Sequence, residues 1–208
     1  AFKDPKILGT LNEKQISAIE SIEKCAKQLK KLIGDVLDAQ KLDIGKLKIK
    51  SEKFPIQKLI DDIEFEFKII AKAKNIDFAI HCPNNFDLDS DLDRIKQVIR
   101  NLLNNAKDFV PEKNGKISLT IKEDDGQILF SVSDNGIGIT KEQQQDLFQK
   151  FYQIDTSVTR EHQGSGLGLS ICKGIVEMLG GKIWVESQKN EGSTFYFTLP
   201  IKKEVYNK

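Results

Sequence analysis

Residues 117–138 read ISLTIKEDDGQILFSVSDNGIG. Positions 117–121 and 128–132 are two apolar, strand-like runs, and Asp124-Asp-Gly126 between them is a hairpin signal. The second run leads into Asp134-Asn-Gly136-Ile-Gly138. A carboxylate at a strand end can accept a hydrogen bond from an exocyclic amine such as that of adenine. Gly136 and Gly138 permit close ligand approach that a Cβ would obstruct.

Three further blocks flank this stretch. Upstream is Asn101-Leu-Leu-Asn-Asn105-Ala106. Asn101 and Asn105 are four apart and share one face of a helix, while Leu102, Leu103 and Ala106 point to a core. Amide oxygens on such a face suit a hard cation such as Mg²⁺, which also binds phosphate oxygens. Downstream come Phe148-Gln-Lys-Phe151-Tyr152 and Gly164-Ser165-Gly166-Leu167-Gly168-Leu169. The glycine block opens a helix, whose free amides and dipole favour phosphate. It is neither a dinucleotide fingerprint nor a P-loop. Residues 153–165 are polar and read as a lid. Phe148 and Phe151 fit equally a core and a docking surface for that lid. Alone, paired Asn residues read as surface or capping groups, and Asp-Asn-Gly as a turn. Together and in this order, the blocks describe a pocket for a nucleoside triphosphate.

The flanking sequence fills in the fold. Thr10 and Glu13 fit a capping box. Ile16, Ile19, Ile22, Ala26, Leu29, Ile33 and Val36 then follow helical steps to about Leu42, with Gly45 as a stop. Such a helix is ~50 Å long and needs partners to bury its stripe, so it reads as a bundle or dimer element rather than a plain connector. Residues 46–54 form an extended link, and Pro55 starts a helix to about Lys74. A strand at 76–81 and a turn at Pro83 follow. A helix capped by Ser90 or Asp91 runs to about Phe109. A short helix is expected near 143–151 and a longer one over 167–179. A final strand pair spans 183–186 and 194–199. The class is α+β: a long bundle-type helix, then a two-layer α/β sandwich with a mixed, mostly antiparallel sheet covered by helices.

Composition excludes several functions. Net charge is +1 over 208 residues, so no global field points to nucleic acid or an anionic membrane. No run of about 18 apolar residues is present. Cys25, Cys82 and Cys172 are far apart, as expected of reduced thiols, and with only His81 and His162 a His/Cys metal site is not expected. The start without Met reads as a fragment of a longer protein.

The ordered blocks resemble the catalytic half of the sensor histidine kinases. Their N box is similar to 101–111, and their first glycine box to DNGIGI. Their F box is similar to LFQKFYQID, their second glycine box to GSGLGLSI, and the tail IVEMLGGKIWVESQKNEGSTFYFTLP also matches. The resemblance covers essentially the whole chain. It implies a Bergerat-type ATP site with cofactors ATP and Mg²⁺. Asn105 would be the Mg²⁺ ligand, with Asn101 beside it. Asp134 would read adenine, shaped by Gly136 and Gly138, with Thr194 supporting that side. Tyr152 would lie by the nucleotide, and Gly164, Ser165, Gly166, Leu167 and Gly168 would close on the phosphates. Residues 1–50 would be the second helix of the dimerisation and phosphotransfer hairpin plus a linker, and 51–208 the ATP-binding domain.

The implied function is γ-phosphoryl transfer from ATP to a His on the other hairpin helix, then to an Asp of a response-regulator receiver domain. The full-length protein, membrane-anchored or soluble, would be a homodimer through the hairpin, with this part cytoplasmic, no nucleic-acid partner and no membrane contact by this part. Two departures stand out. No phosphoacceptor box is present, because neither His81 nor His162 has the family's context. And Asp108 holds the place, before Phe109, where the family carries a basic residue. Lys107, the preceding residue, lies about 100° around the helix and does not simply substitute, so Arg160 or Lys150 are the candidates to supply that charge, and all three are candidate nucleotide-binding residues. Other ATPases of the superfamily, such as the gyrase, MutL and heat-shock chaperone ATPases, carry a water-activating Glu where Asn101 stands. An ATPase of that kind, or a kinase-derived scaffold impaired by Asp108, are the alternatives.

Overall fold

The computed structural model describes residues 11–154 and 165–201. Helix α1 (Glu13–Asp43) starts at Asn12, not at Thr10. Asn12 Oδ1 accepts from the Gln15 N–H at 2.9 Å, and Gln15 Oε1 accepts from the Asn12 N–H at 2.9 Å. This reciprocal box replaces the expected one because Asn caps as well as Thr and sits two residues nearer the apolar stripe. Thr10 itself lies outside the described residues.

Strand β1 (Glu52–Pro55) and helix α2 (Ile56–Ala73) follow. The sequence signalled only an extended link at β1, which pairs antiparallel with β3 (Asp87–Ser90). The acidic run Asp87-Leu-Asp-Ser90 has no apolar alternation of the usual kind, so its strand was not legible. It is held by Leu88 against Phe54, both buried.

The main sheet has the order β2-β4-β5-β7-β6. Its strands are β2 (Asp77–His81), β4 (Lys116–Asp124), β5 (Gln127–Asp134), β6 (Ile183–Gln188) and β7 (Gly192–Pro200). Strand β2 runs parallel to β4, and every other neighbour pair is antiparallel. The β4–β5 hairpin closes at Asp124 opposite Gln127, as its Asp-Gly turn predicts.

The two-residue period of the strands sorts their side chains. Ile117, Leu119 and Ile121, Ile128, Phe130 and Val132, and Phe195, Phe197 and Leu199 are buried on one face. There Phe130 and Phe197 stack with ring centres 4.4 Å apart. Helices α2, α3 (Leu92–Phe109) and α5 (Gly168–Met178) cover this face. Ile95, Ile99 and Leu102 of α3 and Ile171 and Ile175 of α5 are fully buried. Each such side chain contributes roughly 1.5–3 kcal/mol by leaving water. The opposite face carries Ser118, Thr120, Ser131, Ser133 and Thr194, so the domain has two layers.

The short helix expected near 143–151 is α4 (Lys141–Asp146), shifted upstream by a capping box of Thr140 and Gln143. Helix α1 does not stand apart from the rest. Its Leu42 packs on Gly174 of α5, where a Cβ would come within 2.8 Å of a Leu42 methyl. Asp38 accepts from Arg94 Nη1 at 3.0 Å and from Gln97 Nε2 at 2.9 Å. Asp43 pairs with Lys150. The link after α1 is pinned by buried Leu47 and by the Lys50 N–H, which donates to Asp91 Oδ2 at 2.7 Å. The other face of α1, with Ile22, Leu29, Ile33 and Leu37, remains exposed.

Candidate functional site

A cavity of about 440 Å³ opens between α3, the end of β5, the start of α5 and the middle of α1. Helical spacing places Asn101, Asn104, Asn105 and Asp108 of α3 along one wall. The sequence reading singled out Asn101 and Asn105 as site residues and Asp108 as a departure. Asn104 belongs with them because it sits three residues after Asn101 on the same face.

Asp134 closes the opposite end. Its Oδ1 accepts from the Gly136 N–H at 2.8 Å, and the Ser193 N–H also donates to the carboxylate. Burial pushes the carboxyl above its usual range, and those two N–H groups pull it part of the way back. Gly138 lines this end at φ +66°, where a Cβ would lie 1.9 Å from the Gln188 carbonyl oxygen. Gly136 stands behind the wall, because a Cβ there would meet the Phe109 carbonyl at 2.6 Å and the Asp134 carboxylate at 2.7 Å. It therefore shapes the site without lining it.

Thr194 departs from its expected place. Strand alternation turns it to the outer sheet face, where its hydroxyl bonds Ser133 at 3.0 Å. Ser193 and Phe195, its neighbours in β7, line the cavity instead. Period-two reading of the strand would have found them.

Tyr152, Ser165, Gly166 and Gly168 form the third wall. The Phe151 N–H donates to the Gly166 carbonyl at 2.9 Å, clasping the two chain segments that bound 155–164. Gly166 is at φ +68°, and a Cβ on it would clash with the Phe151 backbone at 2.8 Å. Leu167 caps α5 but is buried in the core rather than facing the cavity. Gly168 opens α5 beside the Asn101 amide. Gly164, Arg160 and His162 lie outside the described residues.

The candidate cations fall elsewhere than expected. Lys107 turns to Asp108 at 2.9 Å, and Lys74 approaches the same carboxylate at 3.7 Å, so the acid before Phe109 is countered by two lysines. Lys150 is drawn to Asp43 and does not line the cavity. The lining cations among the described residues are Lys31 and Lys189, neither singled out from sequence. Asp35 of α1, also unforeseen, is buried and accepts from Ser165 Oγ at 3.3 Å. Burial raises its carboxyl above the ordinary range against the opposing pull of Lys31 and the Ser165 bond. Both residues escaped sequence reading because α1 lies far along the chain from the glycine motif. Cys172 on α5 is wholly buried, and burial pushes its thiol up to about 12, so it is an inert core group.

No cluster of three His, Cys, Asp or Glu side chains able to hold a metal exists among the described residues. The oxygen donors facing the cavity from α3 are amides and one carboxylate, a set that suits a hard, hydrated cation shared with phosphate.

The family described as histidine kinase-, DNA gyrase B-, and HSP90-like ATPase matches residues 90–203. The chain belongs to this family. Within it, the chain is the catalytic core of a sensor histidine kinase. It is 35% identical over 195 residues to the circadian input-output histidine kinase CikA of Synechococcus elongatus, covering 92% of this chain and 26% of that protein. The nucleotide-free catalytic domain of histidine kinase ThkA superposes with a TM-score of 0.64 at 36% identity, over 73% of this chain and 96% of that one. Full-length ShkA in complex with AMPPNP gives 0.76 at 26% identity, over 92% and 40%. The chain thus spans about a quarter of the length of its first curated relative.

Proposed function

We propose that the chain binds ATP with Mg²⁺ and transfers the γ-phosphoryl group to a His on a hairpin helix outside this sequence, for relay to an Asp of a response regulator. The observation that carries this reading is the cavity wall of α3. It faces the α5 N-terminus with Asn101, an amide, where a hydrolase of the superfamily would carry a water-activating Glu. With an amide rather than a carboxylate at that position, the site suits a nucleophile that needs no base, and a neutral imidazole nitrogen is one.

Asp134 would accept from the adenine amine, with Gly138 giving the ring room. Asn105, with Asn101 beside it, would hold Mg²⁺, which when bound neutralises phosphate charge and leaves a better leaving group. The amides at the start of α5 would cradle the phosphates. The acceptor nitrogen attacks the γ-phosphorus, the bond to the bridging oxygen breaks, and ADP departs. Catalysis rests on positioning and charge neutralisation. AMPPNP bound to ShkA supports the nucleotide, and the ThkA complex with response regulator TrrA supports the partner.

In this reading residues 1–50 are a hairpin helix with its linker and 51–208 the ATP-binding domain. The whole protein is a homodimer through the hairpin, and this part works in the cytoplasm. Among the described residues, no helix is long and apolar enough to cross a membrane. The impaired-scaffold alternative rested on Asp108, and its two lysine partners weaken that objection.

The test supplies ATP and a separate hairpin bearing a His acceptor. An acid-labile, base-stable phosphohistidine is expected. Tight ATP binding with no transfer, also in the full-length protein, would sink the kinase reading.

A further inference from the structure

We propose that α1 forms part of the nucleotide site and that Lys31 binds the polyphosphate. This rests on the ATP reading above and adds to it a phosphate ligand from the helical segment.

The charges around the cavity lead to this assignment. Its described lining holds three carboxylates, Asp35, Asp108 and Asp134, and two ammonium groups, Lys31 and Lys189. Lys189 belongs to the Asp134 end, because the N–H of the adjacent Asn190 donates to the Ile137 carbonyl at 2.7 Å. Lys31 belongs to the other end. It stands one turn before Asp35 on α1, and Asp35 takes the Ser165 hydroxyl of the glycine motif. Gly168, which opens α5, stands beside the Asn101 amide, and both line the cavity with Lys31 and Ser165. The Lys31 ammonium is therefore grouped with Asn101 and the α5 N-terminus.

That end is where phosphates would sit, and a triphosphate holding one divalent cation still carries net negative charge. A helix N-terminus supplies only about half a positive charge. The other lysines near it are committed: Lys107 to Asp108, and Lys150 to Asp43. Lys31 thus occupies the electrostatic role that the family's basic residue before Phe109 would fill, delivered across the fold by α1. Asp35 opposes phosphate charge unless Lys31 stands between them, which ties the two residues together as a unit. A phosphate ligand on α1 also couples nucleotide binding to docking of that helix, and by linkage each strengthens the other.

The test is isothermal titration of the whole chain with ATP, ADP and adenosine, using Lys31→Gln, Lys31→Arg and an Asp134→Asn control. Gln matches Lys in helix propensity, so α1 should persist. Lys31→Gln should weaken ATP binding about tenfold and leave adenosine unchanged. Lys31→Arg should keep most of the affinity. ATP affinity unchanged in Lys31→Gln, or an equal loss for adenosine, overturns the proposal. A wild-type chain that binds ATP while Lys31→Gln does so equally well refutes this inference alone. A wild-type chain that binds neither ATP nor ADP overturns the nucleotide reading and this proposal with it.

Discussion

The carboxyl of Asp134 sits largely out of water at the end of β5, with two backbone N–H groups donating to it. Its folded pKa is raised, so the folded state holds the proton at pH values where the unfolded chain has lost it. The stability this gives is complete below the ordinary carboxylate pKa and is lost as pH rises through the folded value. At neutral pH the charged group therefore costs stability. We expect Asp134→Asn to keep the Gly136 contact through its amide oxygen. Thermal melting should show an equal or higher midpoint at pH 7.5, and the difference should shrink toward pH 4. ATP affinity should fall roughly ten- to a hundredfold, the loss of one charge-assisted hydrogen bond. Undiminished affinity would remove Asp134 from adenine recognition.

Helix α3 was legible throughout. Its apolar positions follow a 3.6-residue period and are buried as read, and of the two caps the sequence offered, Ser90 and Asp91, the fold uses Asp91, which accepts from the Arg94 N–H. Helix α1 was legible as a helix but not as a neighbour. Asp38 and Asp43 look like a solvated face in sequence, yet both bond side chains of the α/β layers. Strand β3 was missed because it is held by pairing with β1 more than by its own pattern. The Asp38 contact is expected to be the tie that holds α1 down. Asp38→Ala leaves the partly buried Arg94 without its acid, a loss of about 1–3 kcal/mol. Hydrogen exchange should quicken in the second half of α1 while the β5–β7 ladder keeps its protection. Unchanged exchange in α1 would show that Leu42 on Gly174 and the other contacts suffice.

Across the whole molecule, one face of α1 packs on the α/β layers and the other leaves Ile22, Leu29, Ile33 and Leu37 exposed. A stripe of this length at helical spacing favours another helix over water. Sedimentation of the chain should show concentration-dependent self-association, and Leu29→Glu with Ile33→Glu should abolish it while leaving the melting midpoint of the α/β layers in place. A wild-type chain that stays monomeric at high concentration would show that this stripe is not by itself a self-association surface.

By itself the sequence determined the two layers, the sheet's hairpins, and the order of the Asn, Asp-Gly and glycine motifs around one pocket. Those features are local: strand period, helix period and turn chemistry each act within a few residues. Only the tertiary structure decided which side chains outside the motifs share that pocket. Lys31 and Asp35 reach it from α1, Lys150 leaves it for Asp43, and Thr194 faces away across the sheet. Polar partners more than 100 residues apart are set by how helices dock on the sheet, and no local period encodes that.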